Sequence, residues 1–382
     1  MTRHEVIEPL RSRLSLTTSC TYHRAVTTIA AVHGVVGPFA YPQEQISAAF
    51  SAVVSPDGQH HELIERIHRA TSVRHRHLAL PLEEYPRLEG FGAANDTFIR
   101  VALDLGESAV AGALAAAGIA ASEVDMVMST SVTGIAAPSL EALLVPRLGL
   151  RPDVKRVPVF GLGCVAGAAG IARLHDYLVG HPDDVAVLLS VELCSLTVQR
   201  DDASMPNIVA SGLFGDGAAA VVLVGSRRAA RLGITGPQVV ASRSRLYPDT
   251  SRTMGWDIGA SGFRIVLSAG VPEVIEQYLG DDVSDFLADH DLKIPDVGAW
   301  VSHPGGPRVL EAMQTALDLH DGELDVTWRS LAAIGNLSSA SVLHVLSDTL
   351  NGRGVATPQE GTPGVIMAMG PGFCAELVLV EW

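Results

Sequence analysis

Cys164 stands in Val159-Phe-Gly-Leu-Gly-Cys-Val-Ala-Gly-Ala-Ala-Gly170, where a short apolar run gives way to a glycine-led, alanine-rich stretch. A cysteine at a helix N-terminus meets unpaired backbone N–H groups and the positive end of the helix dipole, and both favour the nucleophilic thiolate. Gly161, Gly163 and Gly167 permit a tight turn and the close approach of a substrate. An inert, buried cysteine is the plainer alternative. His303 closes the run Ala299-Trp-Val-Ser302 and is followed by Pro304-Gly-Gly306, a rigid corner on which an imidazole can be presented. It is one of 14 histidines, and most of these need only be surface or satisfied core residues. Asn336, in Gly335-Asn-Leu-Ser-Ser-Ala-Ser341, reads alone as a helix N-cap. A thiol, an imidazole and a carboxamide at three element ends together make a Cys/His/Asn constellation of the kind nucleophilic catalysis uses.

The elements that must carry these groups alternate in the α/β manner. Leu103 to Ala117 predicts a helix stopped by Gly118, and Val124 to Met128 a strand. Arg156 to Phe160 predicts a strand leading into the Cys164 loop, with a helix continuing through Ile171 to Leu178. Val185 to Leu193 is apolar throughout, as a strand buried on both faces requires. The later part repeats this grammar: a strand edge at Ala299 to Val301, helices over Pro307 to Leu319 and Ser341 to Leu350, and a strand pair Val365 to Met369 and Ala375 to Val380. In both parts a glycine-led loop opens an Ala/Ser-rich helix, which points to an internal duplication. Residues 1–24 read as a polar leader, 25–230 as a first half and 231–382 as a second, with the charged run Arg227, Arg228 and Arg231 near the boundary.

Composition narrows the field. The 382 residues are 47% hydrophobic and 18% charged, ample for a large core and unlike a disordered chain. A formal net charge of −15 argues against nucleic acid as a general partner, so an anionic ligand must be met by local cations or helix N-termini. The four cysteines, Cys20, Cys164, Cys194 and Cys374, form no C-x-x-C pair, which speaks against a disulfide framework or a zinc site. No stretch is long and apolar enough to span a membrane, and no signal peptide is legible, so a cytoplasmic location is expected. Gly161-Leu-Gly-Cys-Val-Ala166 also fits a G-x-G-x-x-A dinucleotide fingerprint, a rival with a poorly supplied βαβ unit upstream. The hydrolase nucleophile elbow fails, because Leu162 and Ala166 occupy its glycine positions.

Four segments taken together resemble the bacterial type III polyketide synthases of the chalcone synthase superfamily: the Cys164 loop, Leu213-Phe-Gly-Asp-Gly-Ala-Ala-Ala220, Ser302-His-Pro-Gly-Gly-Pro307 and Gly335-Asn-Leu-Ser-Ser-Ala-Ser341. The resemblance runs from about Ala25 to Trp382. It implies an α/β thiolase fold of duplicated αβαβα layers, a homodimer, and CoA thioesters as substrates with no cofactor or metal. It further implies that Cys164 carries the acyl chain, that His303 and Asn336 stabilise the enolate formed on decarboxylation, and that Phe214 is a gatekeeper between CoA tunnel and cavity. Glu192 and Ser338 stand where the family has a hydrogen-bonded network. There are departures. The closing G-F-G-P-G of the family appears as Ala368-Met-Gly-Pro-Gly372, Val132 replaces a threonine, and Ile265 falls where a second gatekeeper phenylalanine is expected, which would widen the cavity.

Small residues expected round the cavity, Thr133, Ala137 and Cys194, resemble members with a narrow acyl tunnel, in which each buried methylene contributes about 0.8 kcal/mol. The expected reaction is therefore extension of a medium- or long-chain acyl-CoA starter by malonyl- or methylmalonyl-CoA, ending in an alkylresorcinol or alkylpyrone. Three alternatives stand beside it. They are a 1,3,6,8-tetrahydroxynaphthalene synthase that makes a pentaketide from malonyl-CoA alone, a β-ketoacyl-carrier-protein synthase III, and a non-enzymatic acyl-binding scaffold. The basic stretch containing Arg66, Arg69, Arg74 and Arg76, with Arg308 beside the His303 loop, is where the family places cations for CoA; a solvated helix face is the bland reading of any one of them.

Overall fold

The apolar run Val185–Leu193 forms a strand whose two faces enter different cores. Ala186 and Leu188 point into one hydrophobic cluster, while Val185, Val187, Leu189, Val191 and Leu193 point into another. A period of two with both faces apolar requires a layer of helices on each side, and that is the architecture found. The computed structural model describes residues 26–353 and 356–382, so the expected polar leader lies outside the described residues.

Among the described residues the strands are β1 (Thr27–Val36), β2 (Phe39–Pro42), β3 (His75–Leu78), β4 (Met126–Thr130), β5 (Lys155–Val159), β6 (Val185–Leu193), β7 (Asp216–Gly225), β8 (Gln238–Leu246), β9 (Met254–Gly259), β10 (Gly262–Leu267), β11 (Ala299–Ser302), β12 (Pro363–Gly370) and β13 (Cys374–Glu381). Nine of them hydrogen-bond in the order β11-β12-β13-β8-β1-β7-β6-β4-β5. β1 and β8 meet over only two residue pairs, so this seam divides the strands into two sets. Each set repeats one pattern: a parallel pair (β4 with β6, β11 with β12), then two antiparallel neighbours (β7 and β1, β13 and β8).

Five layers result. The helix Gly90–Ala117 covers one face of the first set, and the helices Val271–Ala288 and Pro307–Leu317 cover the outer face of the second. Between the two sets lie Ala166–Gly180, buried all round as far as Ala172, and Ser341–Leu350, buried almost throughout. Where a helix is so enclosed it must be apolar or small on every side, hence Ala166-Gly-Ala-Ala-Gly-Ile-Ala172 and the Ser/Val/Leu-rich second helix.

Several element boundaries differ from expectation. The helix read from Leu103 begins at Gly90, and its buried positions Phe98, Val101 and Ala102 continue the 3–4 spacing of Ala109, Val110 and Ala113. Gly90, Gly92, Asn95 and Asp96 are poor helix formers, and they hide this extension. Gly118 ends the helix in the left-handed conformation, φ 65°, as expected. The helix at Pro307 closes at Leu317, where Asp318 turns left-handed at φ 51°.

The two central helices touch at their N-terminal ends. A Cβ built on Gly167 would lie 2.4 Å from the Ser339 carbonyl oxygen and 2.6 Å from Val342 Cγ1, so only glycine allows this approach. Gly167→Ala should therefore cost about 1–3 kcal/mol, as overpacking does. A thermal melt should show a midpoint several degrees lower; an unchanged midpoint would mean that the two helices do not meet as described.

Candidate active site

Each reactive group sits where an element ends. β5 runs into Gly161, at φ 100°, and Gly163, at φ 58°, which turn the chain so that Cys164 enters a single 3₁₀ turn ahead of the helix Ala166–Gly180. The retained Gly370-Pro-Gly372 packs on this turn. A Cβ on Gly163 would strike Pro371 Cδ at 2.6 Å, and one on Gly370 would lie 3.1 Å from the Val165 nitrogen and 3.3 Å from that of Cys164. His303 follows β11 directly, its N–H donating to the Met367 carbonyl at 2.9 Å. Asn336 is held in a short parallel bridge beside Phe214: its N–H donates to Leu213 O and its carbonyl accepts from Gly215 N, both at 2.9 Å.

Cys164, His303, Asn336 and Phe214 line one cavity of about 470 Å³. The Asn336 side-chain oxygen accepts the Ser338 backbone N–H at 2.8 Å, which assigns the carboxamide its orientation and leaves the NH2 as the free donor. Ser338, at φ 49°, brings its hydroxyl to 3.7 Å from the Cys164 sulfur. The His303 ring has its Nδ1 sealed in protein without a partner, so it meets the cavity by its other edge.

Behind the thiol, Glu192 is fully buried. It accepts from Thr133 Oγ1 at 2.8 Å, Val132 N at 3.1 Å, Ser131 Oγ at 3.3 Å and Ser339 Oγ at 2.5 Å. Burial raises its pKa while these bonds oppose the rise. Thr133 also accepts the Leu193 N–H at 2.9 Å, so its hydroxyl is engaged within the wall.

The electrostatics run against the expectation of a ready thiolate. Burial pushes the Cys164 thiol up to about 12, Ser338 partly opposing this and Glu192 adding to it. Burial likewise pushes the His303 imidazole down to about 3. Neither group carries a charge alone in so dry a place. A thiolate–imidazolium pair, formed by passing the thiol's proton to His303, would let both carry charge without leaving either isolated.

A second cavity, of about 720 Å³, lies beyond Phe214, which lines both. Arg76, Tyr85, Cys194, Ser195, Trp256 and Ile265 help to line it.

Residues 16–227 match the N-terminal domain of the chalcone and stilbene synthases, and residues 238–381 match their C-terminal domain. The chain belongs to that family. It is 56% identical over 359 residues to 1,3,6,8-tetrahydroxynaphthalene synthase of Streptomyces peucetius subsp. caesius, covering 93% of both proteins. It is 35% identical over 319 residues to a putative chalcone synthase of Bacillus subtilis strain 168, covering 81% of this chain and 86% of that protein. Its fold superposes with a TM-score of 0.86, at 30% identity, on the crystal structure of 1,3,6,8-tetrahydroxynaphthalene synthase from Streptomyces coelicolor A3(2), a bacterial type III polyketide synthase, covering 93% of this chain and 99% of that one. The protein is thus a type III polyketide synthase of thiolase fold, and the dinucleotide reading of the Cys164 loop falls away.

In this synthase several expected positions need correction. Ala137 is exposed in the loop before the helix Leu140–Leu148, and neither it nor Thr133 lines either cavity, so of the three small residues only Cys194 does. Ile265 does line the larger cavity, but its cross-strand partner on β9 is Trp256, whose ring lines the same space and offsets the widening expected there. Arg66, Arg69 and Arg74 are exposed and line neither cavity, whereas Arg308 is exposed and does line the one with Cys164. Arg76 is not a surface cation. It is 3% exposed, with Nε on Gln43 Oε1 at 3.0 Å and Nη1 on the Phe214 carbonyl at 2.8 Å.

Sequence reading also missed Trp256, Tyr85 and Asp216. The last anchors Ala79 N at 2.6 Å and Ser195 N at 2.8 Å, although its Gly-Asp-Gly setting was visible.

Removing the imidazole tests how the thiolate arises. In His303→Ala, alkylation of Cys164 by iodoacetamide at pH 7 should slow by at least about tenfold. Because burial holds the lone thiol near 12, the rate should then climb with pH up to pH 10 without a plateau. A variant that keeps the wild-type rate at pH 7 would show that the helix N-terminus alone ionises Cys164.

Proposed function

We propose that this synthase condenses malonyl-CoA with itself to give the pentaketide 1,3,6,8-tetrahydroxynaphthalene. The observation that carries a condensing role is the junction at Phe214, where the cavity holding thiol, imidazole and carboxamide shares a wall with a larger one. The first is suited to loading and decarboxylation, the second to housing a lengthening chain. The choice of malonyl-CoA as starter as well as extender is supported by the relatives named tetrahydroxynaphthalene synthase. It is supported too by the loss of Thr133 and Ala137 as tunnel walls, which leaves the acyl-starter reading only Cys194.

The residues divide the work as follows. The Cys164 sulfur attacks the malonyl thioester, CoA leaves as its thiol, and the acyl group is held on the enzyme. A second malonyl-CoA places its thioester oxygen against the Asn336 NH2 and the His303 ring. These donors stabilise the enolate oxygen formed as carbon dioxide departs, so no general base is required in that step. The enolate carbon attacks the Cys164 thioester and expels the sulfur, and the extended chain is reloaded for the next round. Five malonyl units lose five carbon dioxide and five CoA, and one water leaves on ring closure. Arg308 at the wall of the Cys164 cavity supplies a cation for the CoA phosphates, and Ile67, Met205, Val209 and Leu213 supply apolar contact for the pantetheine arm.

Purified protein given malonyl-CoA alone should yield a product with the pentaketide mass, and Cys164→Ala should yield none. If product formed only when C6 to C20 acyl-CoA starters were added, the alkylresorcinol or alkylpyrone reading would replace this one. Arg308→Glu should raise the KM for malonyl-CoA about tenfold with kcat changed less, the pattern of lost uniform binding. An unchanged KM would remove Arg308 from the CoA site.

A further inference from the structure

Asp216 opens β7 with its carboxylate wholly buried and both oxygens engaged. Oδ1 accepts from Ser195 N at 2.8 Å, and Oδ2 from Ala79 N at 2.6 Å and from the Ser195 hydroxyl. Because Ser195 gives its one hydroxyl proton to Asp216, the 2.5 Å contact between Tyr85 and Ser195 is donated by the phenol. The three groups thus form one directed chain, from Tyr85 O–H through Ser195 O–H to the carboxylate. Tyr85 and Ser195 are part-exposed and both line the 720 Å³ cavity, while Asp216 stands behind them. Glu141, Glu192 and Glu376 also accept from serine or threonine hydroxyls, but those hydroxyl residues line neither cavity. The outer end of the chain is fixed in place. Leu80 N donates to the Tyr85 oxygen at 3.3 Å, and Arg200 donates to the carbonyls of Tyr85, Pro86 and Leu88.

We propose that Tyr85, acting through Ser195 and Asp216, is the proton relay for aldol closure of the polyketide chain. This rests on the reading that the cavity beyond Phe214 houses that chain. A methylene between two carbonyls passes its proton to the Tyr85 oxygen as the phenol proton moves to Ser195 and the serine proton to Asp216. The resulting carbanion attacks a ketone carbon of the same chain, and the relay runs back to protonate the alkoxide. A second cycle takes the remaining proton from the attacking carbon and delivers it to the hydroxyl, which leaves as water. Burial holds the Tyr85 phenol well above its usual value, so it does not ionise alone. Burial also lifts Asp216 to about 6, against its hydrogen bonds and the charge of Arg76. That carboxylate is therefore ionised at neutral pH and yet takes a proton more readily than an ordinary one.

A chain that fails to close by carbon has another way off the enzyme: its enol oxygen attacks the Cys164 thioester, expels the thiol and gives a lactone. The experiment supplies malonyl-CoA to wild type, Tyr85→Phe, Ser195→Ala and Ser195→Thr, and reads the ratio of aromatic product to lactone by chromatography and mass spectrometry. In Tyr85→Phe and Ser195→Ala the ratio should fall at least about tenfold, and Ser195→Thr, which keeps the hydroxyl, should restore it to within about threefold of wild type. Loss of total product at an unchanged ratio would make Tyr85 and Ser195 supports of the cavity wall and overturn the proposal. So would a ratio that falls equally in Ser195→Thr and Ser195→Ala. If wild type itself made no aromatic product from malonyl-CoA, the functional reading above would fall, and this proposal with it.

Discussion

The site depends on one close contact between two helix ends. Gly167, the second residue of the helix Ala166–Gly180, lies against the carbonyl of Ser339, two residues ahead of the helix Ser341–Leu350. Because no side chain separates them, the nucleophile turn and the Asn336 loop are brought together. Ser338 then reaches the sulfur and Ser339 reaches Glu192, which stands on the adjoining strand. Strand alternation does the rest: on β6 the even positions face the central layer, so Glu192 arrives there by the same register that sends Ala186 and Leu188 into the shared core. Tight packing of small residues thus converts a repeated fold into one reaction centre.

That packing also determines how charge behaves. A site sealed inside the molecule disfavours any lone ion, which raises Cys164 and lowers His303. The same dryness strengthens each hydrogen bond offered to an ion that forms during reaction. The Asn336 carboxamide is orientated beforehand by the Ser338 N–H, so in the proposed reaction its donors would not need to reorganise as an enolate oxygen develops. A carboxylate in its place would repel that oxygen. Glu192, behind the thiol, is pushed towards the neutral acid by burial, and its four donors oppose that push.

Much of this was legible in the chain because the reactive residues sit at breaks in pattern. An apolar run followed by glycine marks Cys164, a run followed by Pro-Gly-Gly marks His303, and a glycine before Ser-rich helix marks Asn336. What was not legible depends on facing and depth. Arg74, His75, Arg76, His77 read as one basic stretch, yet β3 alternates, and the inward Leu78 carries Arg76 to the same side. That alternation was available; the habit of reading arginine as solvated concealed it. Ala137 and Thr133 looked like cavity walls by position, but one is turned to the surface and the other is bonded into the Glu192 network, which only the folded loop reveals.

The larger cavity shows why single positions mislead about volume. Ile265 in place of an aromatic ring reads as an enlargement when taken alone. On the hairpin of β9 and β10 it stands opposite Trp256, so the pair together contributes one branched aliphatic and one large ring to the same wall. Phe263, two residues before Ile265 on β10, packs edge-on against Phe91 and tilted against Trp256 and Phe160, which holds the hairpin against the start of the long outer helix and the end of β5. The volume of the larger cavity is therefore set by how that hairpin is braced as much as by which residue occupies position 265. A substitution at Phe263, which lines neither cavity, would alter the cavity through Trp256. Cavity volume here is a property of the braced wall, with the individual side chains acting through it.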